Sequence, residues 1–122
     1  MPDLVNGRLP APIFFKEVKV CSDGKVKVVM GSQSNVHIAA VGSSEGKGGK
    51  VVGHFHVIVD GGPVEKGKTI GNSENIKHYG KGQTKAELQL TPGQHTLTLQ
   101  LGDDSHTSFG KAYSAETRVD VP

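Results

Sequence analysis

Apolar and polar residues alternate along this chain in short runs, the period of half-buried strands. From Ile13 to Cys21, Phe14, Val18 and Val20 are expected inward, against Phe15, Glu17, Lys19 and Cys21. Ser22-Asp23-Gly24 supplies an Asp-Gly turn, and Val26 to Met30 forms the returning strand, so residues 13–30 read as a hairpin. Val36 to Val41 is a third apolar run. Gly53 to Asp60 alternates again, with His54 and His56 on one face and Phe55, Val57 and Val59 on the other. Thr84 to Leu90 places Ala86, Leu88 and Leu90 on one side, and Thr91-Pro92-Gly93 is a turn. The clearest alternation follows: His95, Leu97, Leu99 and Leu101 face one way, and Thr96, Thr98 and Gln100 the other. A final strand runs from about Ser114 to Val121.

Between the strands lie two long connections. Gly42 to Gly53 is rich in glycine and reads as a flexible loop. Gly61 to Lys77 has neither helical nor strand period, and a loop of that length in a small domain is more often functional than accidental. No window of a dozen residues holds a 3.6 period without glycine or proline. About seven short strands with turns at these spacings predict an all-β fold, an antiparallel immunoglobulin-like β-sandwich. Residues 1–12, with Pro2, Pro10 and Pro12, form an entry arm, and 13–122 a single domain.

Composition agrees with strands and narrows the partners. Glycine is 17 of 122 residues, about twice its usual share, and tryptophan is absent, so the core is aliphatic. The net charge is only +2, and the lysines fall singly, without the dense basic face and interleaved aromatics of a nucleic-acid binder. No apolar stretch is long enough to insert in a membrane. Cys21 is the sole cysteine, which forbids an internal disulfide and any cysteine-built zinc site. The opening Met-Pro-Asp-Leu-Val-Asn lacks the charged and apolar stretches of a signal peptide. That leaves an intracellular protein or one whose leader was removed. Nothing identifies a protein partner.

Two motifs bear on chemistry. Gly62 to Thr69 matches the phosphate-cradling pattern G-x-x-x-x-G-K-[ST]. A working phosphate loop opens a helix, whose N-terminus binds the phosphates, and Ile70-Gly71-Asn72-Ser73-Glu74-Asn75 is no helix, so the match is a coincidence. The histidines carry more. His54 and His56 lie roughly 7 Å apart on one strand face and offer two imidazoles to one ion. His78 and His106, each beside a loop, can converge on the same end of a sandwich. Asp60, Asp103 and Asp104 are available to ligate or to orient imidazoles. With only imidazole and carboxylate donors, copper or zinc is the expected ion. The competing reading is a hydrogen-bonded structural network. His37 and His95, each set in an apolar run, fit that reading better, but His95 stays among the candidate metal ligands with His54, His56, His78 and His106.

Gly53-His54-Phe55-His56-Val57-Ile58-Val59-Asp60, His78-Tyr79-Gly80-Lys81-Gly82-Gln83-Thr84, Pro92-Gly93-Gln94-His95-Thr96-Leu97 and Gly102-Asp103-Asp104-Ser105-His106 together resemble a domain-of-unknown-function family of small exported bacterial proteins. The resemblance covers roughly residues 50–107. It implies that His54, His56, His78, His95 and His106 occupy the family's histidine positions, that Gly61–Lys77 is a variable loop, and that the protein is periplasmic or extracellular. Phe55 stands where the family often has a middle histidine, which leaves the alternate pair intact. The family brings no established activity. Gly-His-Phe-His-Val is also similar to the copper-ligand strand of copper/zinc superoxide dismutases, but the single cysteine forbids their disulfide. The reading is thus a small metal-binding sandwich with no catalysis assigned. The alternatives are a structural or adhesive module, and a dismutase-like copper redox enzyme.

Overall fold

In a computed structural model that describes residues 11–41 and 50–122, the described residues form eight strands and one short 3-10 turn at Lys111–Tyr113. The strands are β1 (Ile13–Val20), β2 (Lys25–Ser32), β3 (Val36–Ile38), β4 (Val51–Val59), β5 (Ile76–His78), β6 (Lys85–Gln89), β7 (Gly93–Gly102) and β8 (Ser114–Val121). They make two sheets packed as a sandwich: β1-β2-β6, and β3-β4-β7-β8 with β5 also paired to β4. All pairings are antiparallel except β3 with β4. The all-β sandwich is therefore as expected, with one more strand and one parallel pair. Nearly all of the entry arm (1–10) and most of the glycine-rich loop (42–49) lie outside the described residues. That loop ends earlier than expected, since Val51 and Val52 already belong to β4.

The core follows from the alternation. Leu97, Leu99 and Leu101 of β7, with Phe55, Val57 and Val59 of β4, pack against Val26, Val28 and Met30 of β2 and Leu88 of β6. Burying each such side chain contributes about 1.5–3 kcal/mol. The β1–β2 hairpin turns at Gly24, whose φ of 86° is costly for any residue with a Cβ. In β1 the inward set differs from the simple alternation. The register slips between Phe15 and Glu17, which makes Lys16 the extra residue of a β-bulge. Ile13 and Phe15 then face the core on one side of the bulge, and Val18 and Val20 on the other. Phe14 lies instead over Gly31, where a Cβ would meet its ring at 2.5 Å.

The other face of the five-stranded sheet is also dry. His54, His56 and Ile58 of β4, with Thr98 and Gln100 of β7, point away from the sandwich core and are buried all the same. Their cover is the segment after β4 together with the turn after β7. Thr98 donates its hydroxyl to the Gly61 carbonyl (2.7 Å). The Gln100 side-chain carbonyl accepts from Val64 N (2.9 Å), and its amide donates to the carbonyls of Gly110 (3.0 Å) and Tyr113 (3.2 Å). The two covering segments hold each other through Gly67 N to Ser108 O, Ser108 N to Lys68 O and Ile70 N to His106 O. Gly62–Thr69 thus serves as part of this cover, and no helix follows it.

Candidate metal centre

Four histidines meet between the β4 face and this cover. His54 and His56 sit two apart on β4 and are 0% exposed. His78, the last residue of β5, is the register partner of His56, and the two rings meet edge to face with centroids 4.6 Å apart. Gln100 flanks His56 on the other side, in β7. Gly102 is the partner of His54, and its missing side chain makes room for the His56 ring: a Cβ there would lie 2.8 Å from His56 Cε1.

His106 arrives from the turn after β7. Asp103 shapes that turn, its carboxylate accepting from the amides of Ser105 (2.8 Å) and Thr107 (3.0 Å). His106 N donates to Asp103 O, and His106 O accepts from Ile70 N. The residue is left-handed, with φ at 58°, a conformation that costs free energy outside glycine and that histidine adopts more readily than most. Asp103 therefore acts on the backbone that presents the imidazole.

His106 Nδ1 is the hub of the cluster. It lies 3.1 Å from His54 Nε2, 3.2 Å from His56 Nε2 and 3.4 Å from His78 Nδ1. The donor nitrogens of His54, His56 and His106 all fall within 4.8 Å of one another, close enough to hold one metal ion. Nitrogens about 2.0–2.1 Å from a tetrahedral ion stand about 3.3 Å apart, which is the spacing seen around the hub.

The outward nitrogens fix the tautomers. His56 Nδ1 faces the Gln100 carbonyl (3.4 Å) and His78 Nε2 the Gly71 carbonyl (2.8 Å). A carbonyl only accepts, so those nitrogens carry the protons, and the nitrogens facing the cluster carry lone pairs. Burial, reinforced by the neighbouring imidazoles, lowers the His56 pKa to about 3. Burial, then His106 and His78, also lowers that of His54, partly offset by Asp104 and Asp103. Both rings are thus neutral near pH 7, the form that binds metal. His54 Nδ1 is buried with no hydrogen-bond partner among the described residues.

The remaining candidates lie elsewhere. His95, near the start of β7, is about 20 Å from His54 along the β4 direction. Its Nδ1 donates to the Asp60 carboxylate (2.8 Å) and its Nε2 to the Thr91 carbonyl (2.8 Å), so it does not join the cluster. Asp60 is spent on this pair and on the amide of Thr96. His37 lies on β3, half-buried beside Val52. The sequence reading did not single out Gln100, Gly102 or the Gly71 carbonyl. The signal available for the first was a long amide in mid-strand among buried residues.

A family profile described as a domain of unknown function, DUF4399, matches residues 28–122. The chain belongs to that family. The DUF4399 match takes in all four clustered histidines and extends well beyond the segments that first suggested it. Among curated proteins and among solved structures nothing matches. Any reading of what this DUF4399 domain does therefore rests on the cluster itself.

Proposed function

We propose that this protein binds one transition-metal ion, copper or zinc, through His54, His56 and His106, with His78 beside them, and that it does so without catalysis. The observation that carries this reading is the crowding at His106 Nδ1. One imidazole nitrogen has either one proton to give or one lone pair to accept with. Its three contacts at 3.1–3.4 Å cannot all be good hydrogen bonds. His56 and His78 already commit their protons outward. Whichever tautomer His106 adopts, at most one of the three contacts is then a well-formed hydrogen bond, and with the lone pair on its Nδ1 those to His56 and His78 set lone pair against lone pair, an arrangement that a shared cation relieves. A purely structural network has no such reason to aim nitrogens at one point.

An all-nitrogen set with no thiolate or thioether suits copper(II) or zinc(II), and the general affinity order favours copper where both are present. The exported location expected from the family resemblance belongs to the same proposal. The test is titration of chelator-treated protein with copper(II) and with zinc, following bound metal and melting temperature. One ion per chain, with a rise in melting temperature, is expected. At a hundredfold excess of free ion over Kd the stabilisation is about 2.7 kcal/mol. No uptake below about millimolar metal, where binding is worth only about 4 kcal/mol, would return the histidines to a scaffolding role.

A further inference from the structure

The four histidines are not held alike. His54 and His56 stand on β4, which is paired along both sides, and are fully buried. His106 is half-buried but pinned through its own backbone and through Asp103. His78 ends a three-residue strand that, among the described residues, pairs only with β4. Its ring is tethered to the carbonyl of Gly71, at the head of the exposed stretch 71–75. Its link to the hub, at 3.4 Å, is the longest of the three. The set of three whose nitrogens fall together within 4.8 Å omits it.

We infer that His54, His56 and His106 form a fixed three-nitrogen seat, and that the fourth position on the ion is exchangeable between His78 and a small anionic ligand from solvent. This inference rests on the metal reading above. A closed structural site surrounds its ion with four fixed ligands, whereas three fixed ligands and one free position leave the ion open to an incoming donor. Exchange breaks one bond, from the ion to His78 Nδ1, and makes one, from the ion to the anion. The imidazole keeps its hydrogen bond to Gly71. On this reading a bound ion can take up a small ligand without leaving its seat.

The test uses the full chain loaded with one equivalent of copper(II), azide as the anion, and the near-ultraviolet charge-transfer absorption of bound azide as readout. Wild-type protein is expected to develop that band on titration. His78→Ala is expected to keep one copper per chain with a loss of affinity, and to develop the azide band at lower azide concentration than wild type. His56→Ala, which removes part of the seat, is expected to lose copper altogether. If His78→Ala loses copper as completely as His56→Ala, His78 is a fixed ligand and the inference is wrong. Absence of an azide band in copper-loaded wild type overturns it as well, whatever the folding of the variants. Failure of wild type to take up copper would instead strike the metal reading itself.

Discussion

Replacing Gly102 by alanine reshapes the cluster without touching any nitrogen. The new methyl carbon would lie 2.8 Å from His56 Cε1 and 2.7 Å from Ile70 Cδ1. Carbon atoms rest about 3.5–4.0 Å apart, so the ring has to withdraw by about 1 Å. Ile70 can yield at the far end of its side chain. His56 cannot do so freely, because the Gln100 carbonyl holds its Nδ1 and His106 stands 3.2 Å from its Nε2. Overpacking of this kind costs the metal-free fold about 1–3 kcal/mol. A ring displaced by about 1 Å also leaves bonding distance of an ion that requires about 2.0–2.1 Å. Metal affinity should fall by about 100-fold or more, equivalent to about 2.7 kcal/mol. The assay is competition against a chromophoric chelator, with metal-free stability measured separately by denaturant. Gly62→Ala is the control, since a Cβ there meets nothing within 4 Å. Wild-type affinity in Gly102→Ala, alongside lowered metal-free stability, would show that His56 does not bind the ion.

Three further outcomes follow from the same contacts. Because His54 Nδ1 is buried without a partner among the described residues, which costs about 1–3 kcal/mol, His54→Leu should match or exceed wild-type metal-free stability while losing metal-induced stabilisation. A large drop in its metal-free melting temperature would contradict that. With the folded His56 pKa near 3, below its ordinary value of 6.5, the unfolded chain binds more protons between those values. Metal-free stability should therefore fall as pH drops from 6.5 towards 3, less steeply in His56→Leu, as read by denaturant midpoints across pH. At the other end of β4 the sign is mixed: Asp60 raises the His95 pKa, so that contribution fades as pH rises through it, while His95 lowers the Asp60 pKa, so its contribution fades in acid. Asp60→Asn should lower the His95 pKa in an NMR titration and leave metal affinity unchanged; an unmoved His95 would contradict the pairing.

The alternation of β4 and β7 made their faces legible, because Leu97, Leu99 and Leu101 and the His54/His56 pair each need only a period of two. Partners were less legible. Pro92-Gly93 invites a hairpin between β6 and β7, yet β6 pairs with β2 in the opposite sheet, because residues 90–92 carry the chain across the sandwich. Nothing in Val36–Ile38 announces a parallel partner. One bulged residue, Lys16, exchanges the roles of Phe14 and Phe15, and no local pattern marks it. In the site, His54, His56, His78 and His106 were nameable from strand parity and loop position. That His78 falls opposite His56 is a matter of register, which depends on the whole sheet. His95 shares its strand with the core leucines and belongs to a separate pair with Asp60. The long segment after β4 was marked by its length, and its work is to roof the histidines and anchor His78 through Gly71.

X-ray absorption at the metal edge of protein loaded with one equivalent of copper(II) or zinc tests the central claim most directly. The cluster predicts a shell of three or four nitrogens near 2.0 Å with the outer-shell scattering of imidazole. A shell of oxygens alone, or one imidazole at most, would place the ion elsewhere and contradict a metal site at His54, His56 and His106.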